Sequence, residues 1–250
     1  MKIFLQTTIP LFLLILGTTN ANAQAIDLAK KEHQFYTAFV TNSSLSWKIS
    51  LQQIADNLEE SNQLLLAKGY YAAAGTALGN NEETLASELL DKGHTLVDKL
   101  LKINKDSPEA NALLSAILGL KISLSPMKGM LYGSKSSRAA NKGVQLAPDN
   151  AFTNYIQGNN LFYTPSMFGG DVKKSITFLE KAASIYAQKE QLQNWEYMNT
   201  LVLLGQAYHT QKDYTKAKAV FETALEIAPN FGWIQYELLP KTEKAMEEGR

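Results

Sequence analysis

The chain contains no cysteine. That absence excludes disulfide staples, thiolate nucleophiles and Cys-ligated zinc, so stability must come from core burial alone. It also excludes the lipobox cysteine of a bacterial lipoprotein, and the product is expected not to be lipid-anchored. An excess of either charge is missing too: Lys+Arg and Asp+Glu both number 24, for a formal net charge of zero. A balanced chain lacks the basic surplus on which nucleic-acid affinity rests, so no nucleic-acid partner is expected. Histidine is scarce, and His33, His94 and His209 lie far apart with no H-E-x-x-H spacing. There is no P-loop, no G-x-S-x-G elbow and no G-x-G-x-x-G turn. No catalytic residue, metal or cofactor is therefore expected, and an enzyme is the least favoured class.

A long hydrophobic run is also lacking. The first apolar stretch, Ile9–Leu16, is far shorter than the roughly 20 residues of a membrane span. It follows Lys2 and precedes Ala21-Asn22-Ala23, a small-x-small site. One positive charge, a short apolar core and that site read as a secretory signal peptide over residues 1–23, cleaved before Gln24. No transmembrane span is expected in the mature chain, which would reside in a periplasm or outside the cell.

What is present is helical periodicity, with hydrophobic residues at 45% and turn signals spaced at helix length. Asp106-Ser107-Pro108, Pro148-Asp149-Asn150, Gly169-Gly170-Asp171, Lys212-Asp213 and Pro229-Asn230 separate such blocks. Ser107-Pro108-Glu109 offers a capping hydroxyl, a proline at the first helical position and an acid in the first turn; Asn81-Glu82-Glu83 is expected to start a helix likewise.

The segment Met198–Asn230 resembles a tetratricopeptide repeat (TPR), a helix-turn-helix unit of about 34 residues. Leu204, Gly205, Tyr208, Ala217, Phe221, Ala224 and Pro229 fall in register, with Leu201 where the family often has Trp. The pattern has a steric reason: small residues stand where two helices cross, and large ones fill the space around them. Residues 151–188 form a second copy, with Gly158 aligned to Gly205 and Ser175, Leu179 and Ala182 aligned to Ala217, Phe221 and Ala224. Its inter-helix turn is expanded over Leu161–Gly170. A third copy, 109–147, carries an expanded turn expected over Ser125–Gly133, and a fourth spans 61–105. A divergent helix pair is expected over 24–60 and a C-terminal capping helix within 231–250, as terminal repeats are often atypical.

Three further segments, Gly69-Tyr70-Tyr71, Pro126-Met127-Lys128-Gly129-Met130 and Asn160–Gly170, make the region from about Leu64 to Leu239 similar to a family of exported bacterial tetratricopeptide proteins. That resemblance implies fold and export and carries no mechanism. The fold expected is all-α, a right-handed α-solenoid of about five antiparallel helix pairs.

In such arrays the first helix of each pair lines a concave groove. Here that groove is expected to present Phe152, Tyr155, Asn159 and Phe162 from one repeat and Asn199, Val202, Gln206 and His209 from the next. The basic residues of a carboxylate clamp are absent, and aromatic and amide side chains suit an apolar or extended peptide. The same residues would equally serve to contact a terminal helix of the same chain. The turn residues Tyr163, Pro165, Met167 and Phe168 have two readings: an apolar loop that clamps a ligand, or a loop packed on its neighbour. Between Glu109 and Asp149 no acid occurs, while Lys121, Lys128, Lys135, Arg138 and Lys142 do. This is either an anion-binding face or a solvated one balanced by acids such as Glu88 and Asp91. The expected function is protein or peptide binding; the alternative is a small-ligand accessory protein for uptake that uses the two expanded turns.

Overall fold

A computed structural model describes residues 28–56 and 62–249 of the chain. The expected signal peptide over 1–23 lies outside the described residues. Helix α1 covers 28–40, followed by α2 (Ser44–Asp56), α3 (Gln63–Gly79), α4 (Glu83–Ile103), α5 (Pro108–Leu124) and α6 (Gly129–Leu146). Then come α7 (Ala151–Tyr163), α8 (Val172–Gln188), α9 (Trp195–Thr210), α10 (Tyr214–Ile227) and α11 (Leu239–Glu248). No strand occurs among the described residues. Consecutive helices pack as the pairs α3/α4, α5/α6, α7/α8 and α9/α10, and adjacent pairs stack through α5/α7 and α7/α9, which makes the molecule an α-solenoid.

Local chemistry sets the boundaries. Ser107, Asn150, Asp171, Asn194 and Asp213 each cap a helix by accepting a backbone N–H of its first turn. Two repeats share a further device: Asn111 donates to the carbonyls of Lys105 and Ser107, and Asn154 to those of Pro148 and Asn150. These bonds clamp the inter-repeat turn onto the buried start of the next helix. Asn81, expected to cap α4, instead takes a left-handed conformation (φ 61°) that ends α3, and Glu82 stands at the N-cap without capping the helix, its carboxylate accepting from Ser44 Oγ of α2 at 2.6 Å. The expected C-terminal helix is present with a π-helical turn at Ile234–Leu238, where Leu239 N–H reaches the carbonyl of Ile234. Pro240 follows directly; it has no N–H and crowds the preceding carbonyls, so the helix widens there.

The steric logic of the repeat holds in the packing. A Cβ on Gly205 would clash with the edge of the Phe221 ring, and one on Gly158 would come within 2.6 Å of Leu179 Cγ. Ala182, Ala217 and Ala224 are fully buried at the same crossings, with Leu204 and Tyr208 around them. Pro229 follows α10 in an exposed turn. The turn between α5 and α6 is shorter than expected. Only Ser125 is extended, Pro126–Lys128 form a 3-10 turn, and Met130–Gly133 already belong to α6, because Pro126 starts a helix well. The turn between α7 and α8 is long, as expected. It closes on Gly169 at φ 95°, and a Cβ on Gly170 would overlap the Thr164 carbonyl.

The two ends of the solenoid meet. Phe35 of α1 stacks near Trp47 of α2 (5.0 Å between ring centroids) and fills the notch left by Gly69 of α3. From the same helix Phe39 contacts Trp195 of α9 and Phe231 beyond α10, at 6.3 and 5.5 Å between centroids. Trp195 also meets Trp47 and Tyr71, and the Tyr36 hydroxyl reaches the Ile227 carbonyl at 3.4 Å. The N-terminal pair therefore bridges α3 to α9 and α10, and the space that an open array leaves free is filled from within.

Candidate functional site: a filled groove and an exposed edge

The expected groove residues line this filled interior. Tyr155 is fully buried; its hydroxyl accepts from Asn199 Nδ2 at 2.6 Å and lies 3.2 Å from the Tyr71 hydroxyl. Burial pushes the Tyr71 hydroxyl up to about 12 and the Tyr155 hydroxyl well above its ordinary value. Phe152 and Val202 are buried, while Asn159, Phe162, Asn199 and Gln206 are half-buried. His209 bonds Thr242 of α11 through Nδ1 at 3.1 Å and packs edge-on against Tyr214. The open peptide groove is thus corrected at Phe152, Tyr155 and Val202: helices of the same chain cover these side chains, since large aromatics cluster out of water.

Beside Tyr155 lies a charge network that no sequence motif announces. Lys68 of α3 contacts Glu109 of α5 at 2.7 Å and Glu196 of α9 at 3.0 Å, with its ammonium 4.0 Å above the Phe152 ring. Asn150 donates to the second oxygen of Glu109, and the Tyr186 hydroxyl donates to the second oxygen of Glu196, at 2.7 and 2.6 Å. Burial alone would depress Lys68, yet the two carboxylates outweigh it and hold the ammonium above its ordinary value. Burial opposes ionisation of Glu109 as well, and Lys68 reverses that, so its carboxyl sits below the usual range. The signal that was available is Lys68 itself, the sole charge in the otherwise apolar helix Gln63–Gly79.

Glu32 of α1 faces the same network. Burial and the carboxylates of Glu196 and Glu109 raise its pKa, opposed by Lys68. The folded state therefore holds the Glu32 proton more tightly than the unfolded chain does. Stability attributable to this group is greatest below the ordinary carboxylate range and falls as pH rises through the folded value. Glu32→Gln is expected to raise Tm at pH 7 by about 2 °C, on the order of 0.5 kcal/mol after solvent screening of a partly exposed group. At pH 4 the two proteins should melt together. A lower Tm for the variant at pH 7, in melts followed by circular dichroism, would contradict the assignment.

The turns behave differently from the groove. Met130 is 98% exposed, Met167 81% and Phe168 69%, and Met127, Leu131 and Tyr163 are also exposed. Packing of Tyr163, Met167 and Phe168 on a neighbour is thereby corrected. Pro165 is exposed with them, and only Phe162, edge-on to Tyr163 at 4.9 Å, turns toward the core. The glycine closure at Gly169-Gly170 holds this loop outward through backbone geometry. Each turn leads from the first to the second helix of its pair, the two pairs pack through α5 and α7, and Asn160 near the end of α7 donates to Ser136 of α6 at 3.1 Å, so both turns lie at the same end of the stacked pairs. They form one apolar edge, whereas the two cavities described lie elsewhere, around Tyr70 and around Glu32. Exposed apolar side chains gathered at one edge are the surface chemistry from which interaction sites are built.

Of the five cations between Glu109 and Asp149, Lys121 pairs with Asp91 at 2.7 Å and Lys142 with Asp106 at 2.9 Å. Lys128, Lys135 and Arg138 have no carboxylate partner among the described residues; Arg138 bonds Ser134. The balanced-face reading therefore holds for two of the five cations.

Paired helices of this length, with small residues at the crossings and stacked into a solenoid, define a helical-repeat protein. The family model described as Tetratricopeptide repeat matches residues 168–230, so that segment is a tetratricopeptide-repeat region, and the solenoid continues the same helix-pair architecture over the other described residues. No curated relative matches it. Among solved structures it is similar to the HusA haemophore from Porphyromonas gingivalis, at 21% identity and a TM-score of 0.55, over 73% of this chain and 93% of that one. It is also similar to a thermophilic TPR protein in Thermus thermophilus, at 15% identity and a TM-score of 0.50, over 91% of this chain and 96% of that one.

Proposed function

We propose that the protein is a binding module without chemistry of its own, that it acts after export, and that it meets a protein or peptide partner through the apolar edge rather than a groove. The observation that carries this reading is the outward exposure of Met127, Met130, Leu131, Tyr163, Met167 and Phe168 at one end of two packed helix pairs. Flexible thioethers and two aromatic rings adapt to a partner surface and release water when covered. Export is supported by the signal-like segment before Gln24. A photo-crosslinking residue in place of Phe168, in the full chain in its producing cells, should yield a specific protein adduct. Adding Met130→Asp should lower the yield at least about tenfold with the melting temperature unchanged, since a central contact is commonly worth more than about 1 kcal/mol. Absence of any adduct would refute the reading.

A second reading is favoured by the likeness to the HusA haemophore: capture of a planar apolar ligand such as haem. Methionine sulfur and tyrosinate are both known axial ligands of haem iron, and Met127, Met130, Met167 and Tyr163 are all exposed at the edge. Exchanging the three methionines for leucine keeps the edge apolar and removes the sulfurs. A Soret shift on adding haemin that the triple exchange abolishes would support this reading, and unchanged spectra of haemin and protein would remove it.

A further inference from the structure

The apolar edge continues into a charged face on α6. Helical geometry sets Met130, Ser134 and Arg138 in one row, with Leu131 and Lys135 in the row beside it, and all five are exposed. Lys128 precedes them in the 3-10 turn. Three acids of the neighbouring repeats pair with other lysines, Asp91 with Lys121, Asp106 with Lys142 and Glu109 with Lys68, and no carboxylate among the described residues pairs with Lys128, Lys135 or Arg138. Three cations thus stand without an ion pair on, or just before, the helix that carries exposed methionine and leucine, although the whole chain is neutral.

We propose that the partner segment lying on this edge is acidic and amphipathic, with an apolar face on Met127, Met130, Leu131 and Phe168 and carboxylates opposite Lys128, Lys135 and Arg138; this rests on the edge being the binding surface. Charge complementarity fixes the sign, since a basic segment would meet like charge and an uncharged one would leave the cations without counterpart. Geometry favours a protein segment over a lipid surface. From Met130 to Arg138 the α6 axis rises about 12 Å, at about 1.5 Å per residue. A planar bilayer touching the apolar tips would leave Arg138 beyond a Debye length of about 8 Å. An extended or helical segment laid along α6 meets all three cations at once.

The test uses the full chain in its producing cells, with the photo-crosslinking residue at Phe168, and reads the sequence of the crosslinked peptide. That peptide should carry net negative charge and alternate acidic with apolar residues. The triple variant Lys128→Glu, Lys135→Glu, Arg138→Glu should lose the adduct at least about tenfold while melting like the parent, because all three side chains are exposed. The recovered segment, synthesised and labelled, should bind the purified protein in fluorescence anisotropy and weaken about tenfold when its acids become amides or when salt is raised to about 0.5 M. A neutral or basic crosslinked peptide, a lipid adduct, or binding indifferent to charge reversal overturns the acidic partner and leaves the edge as binding surface. Absence of any adduct overturns both.

Discussion

Lys68→Met is expected to destabilise the protein by about 3–5 kcal/mol at pH 7, the cost of leaving buried carboxylates without their counter-charge. For a chain of this size that is a fall of about 6–20 °C in Tm. The reason lies in where the lysine sits. It is the ion-pair partner of both Glu109 and Glu196, the three side chains coming from three different helix pairs, and Glu32 adds a third negative group nearby. The pH dependence distinguishes this from simple loss of packing. In the parent, the depressed carboxyl of Glu109 adds stability above the ordinary glutamate range, which is lost as pH falls through its folded value. Without Lys68, burial of the Glu109 carboxyl loses its main offset and that group binds its proton more tightly when folded, so acidification relieves the variant. The gap in Tm should therefore close toward pH 4, and Glu109→Gln with Glu196→Gln should recover much of it at pH 7. A Tm within about 2 °C of the parent at pH 7 would show that the network is not needed to hold the pairs together.

Much of the fold was legible because repeats are written in short-range patterns. Gly205 opposite Phe221 and Gly158 opposite Leu179 are steric pairs within one helix-turn-helix unit, and spacing alone reveals them. Capping at Ser107 and Asn150 is similarly local. The closure of the solenoid was not legible, because it depends on contacts between residues far apart in sequence, such as Phe39 with Phe231 and Tyr36 with Ile227. No periodicity in α1 states that its aromatic face belongs against α9. That one fact reverses the groove: Tyr155 and Phe152 are aromatic because they are core. The edge was half legible. An apolar loop can be buried or displayed, and composition does not decide between them. The decision comes from the backbone, where Gly169 and Gly170 turn the loop before Met167 and Phe168 can fold inward.

Trp195→Ala should cost about 3–5 kcal/mol, as expected for emptying a buried aromatic site, and its second effect is the more informative. In an ordinary solenoid each repeat touches only its neighbours, so a lesion in one pair weakens that pair and the next. Trp195 is buried where Phe39, Trp47 and Tyr71 converge, so its loss should also release the N-terminal pair from α9. Native-state hydrogen exchange separates the two effects. Amides of residues 28–56 should exchange much faster in Trp195→Ala, while those of α5 and α6 change little. Phe221→Ala is the matched control: it empties an equally buried ring that packs on Gly205 within its own pair. It should cost about the same by the same cavity argument and leave 28–56 protected. If both variants expose 28–56 equally, the closure is carried by overall stability rather than by Trp195. If only Trp195→Ala does, the aromatic cluster is what turns an open stack of repeats into a closed one, and the groove stays shut because of it.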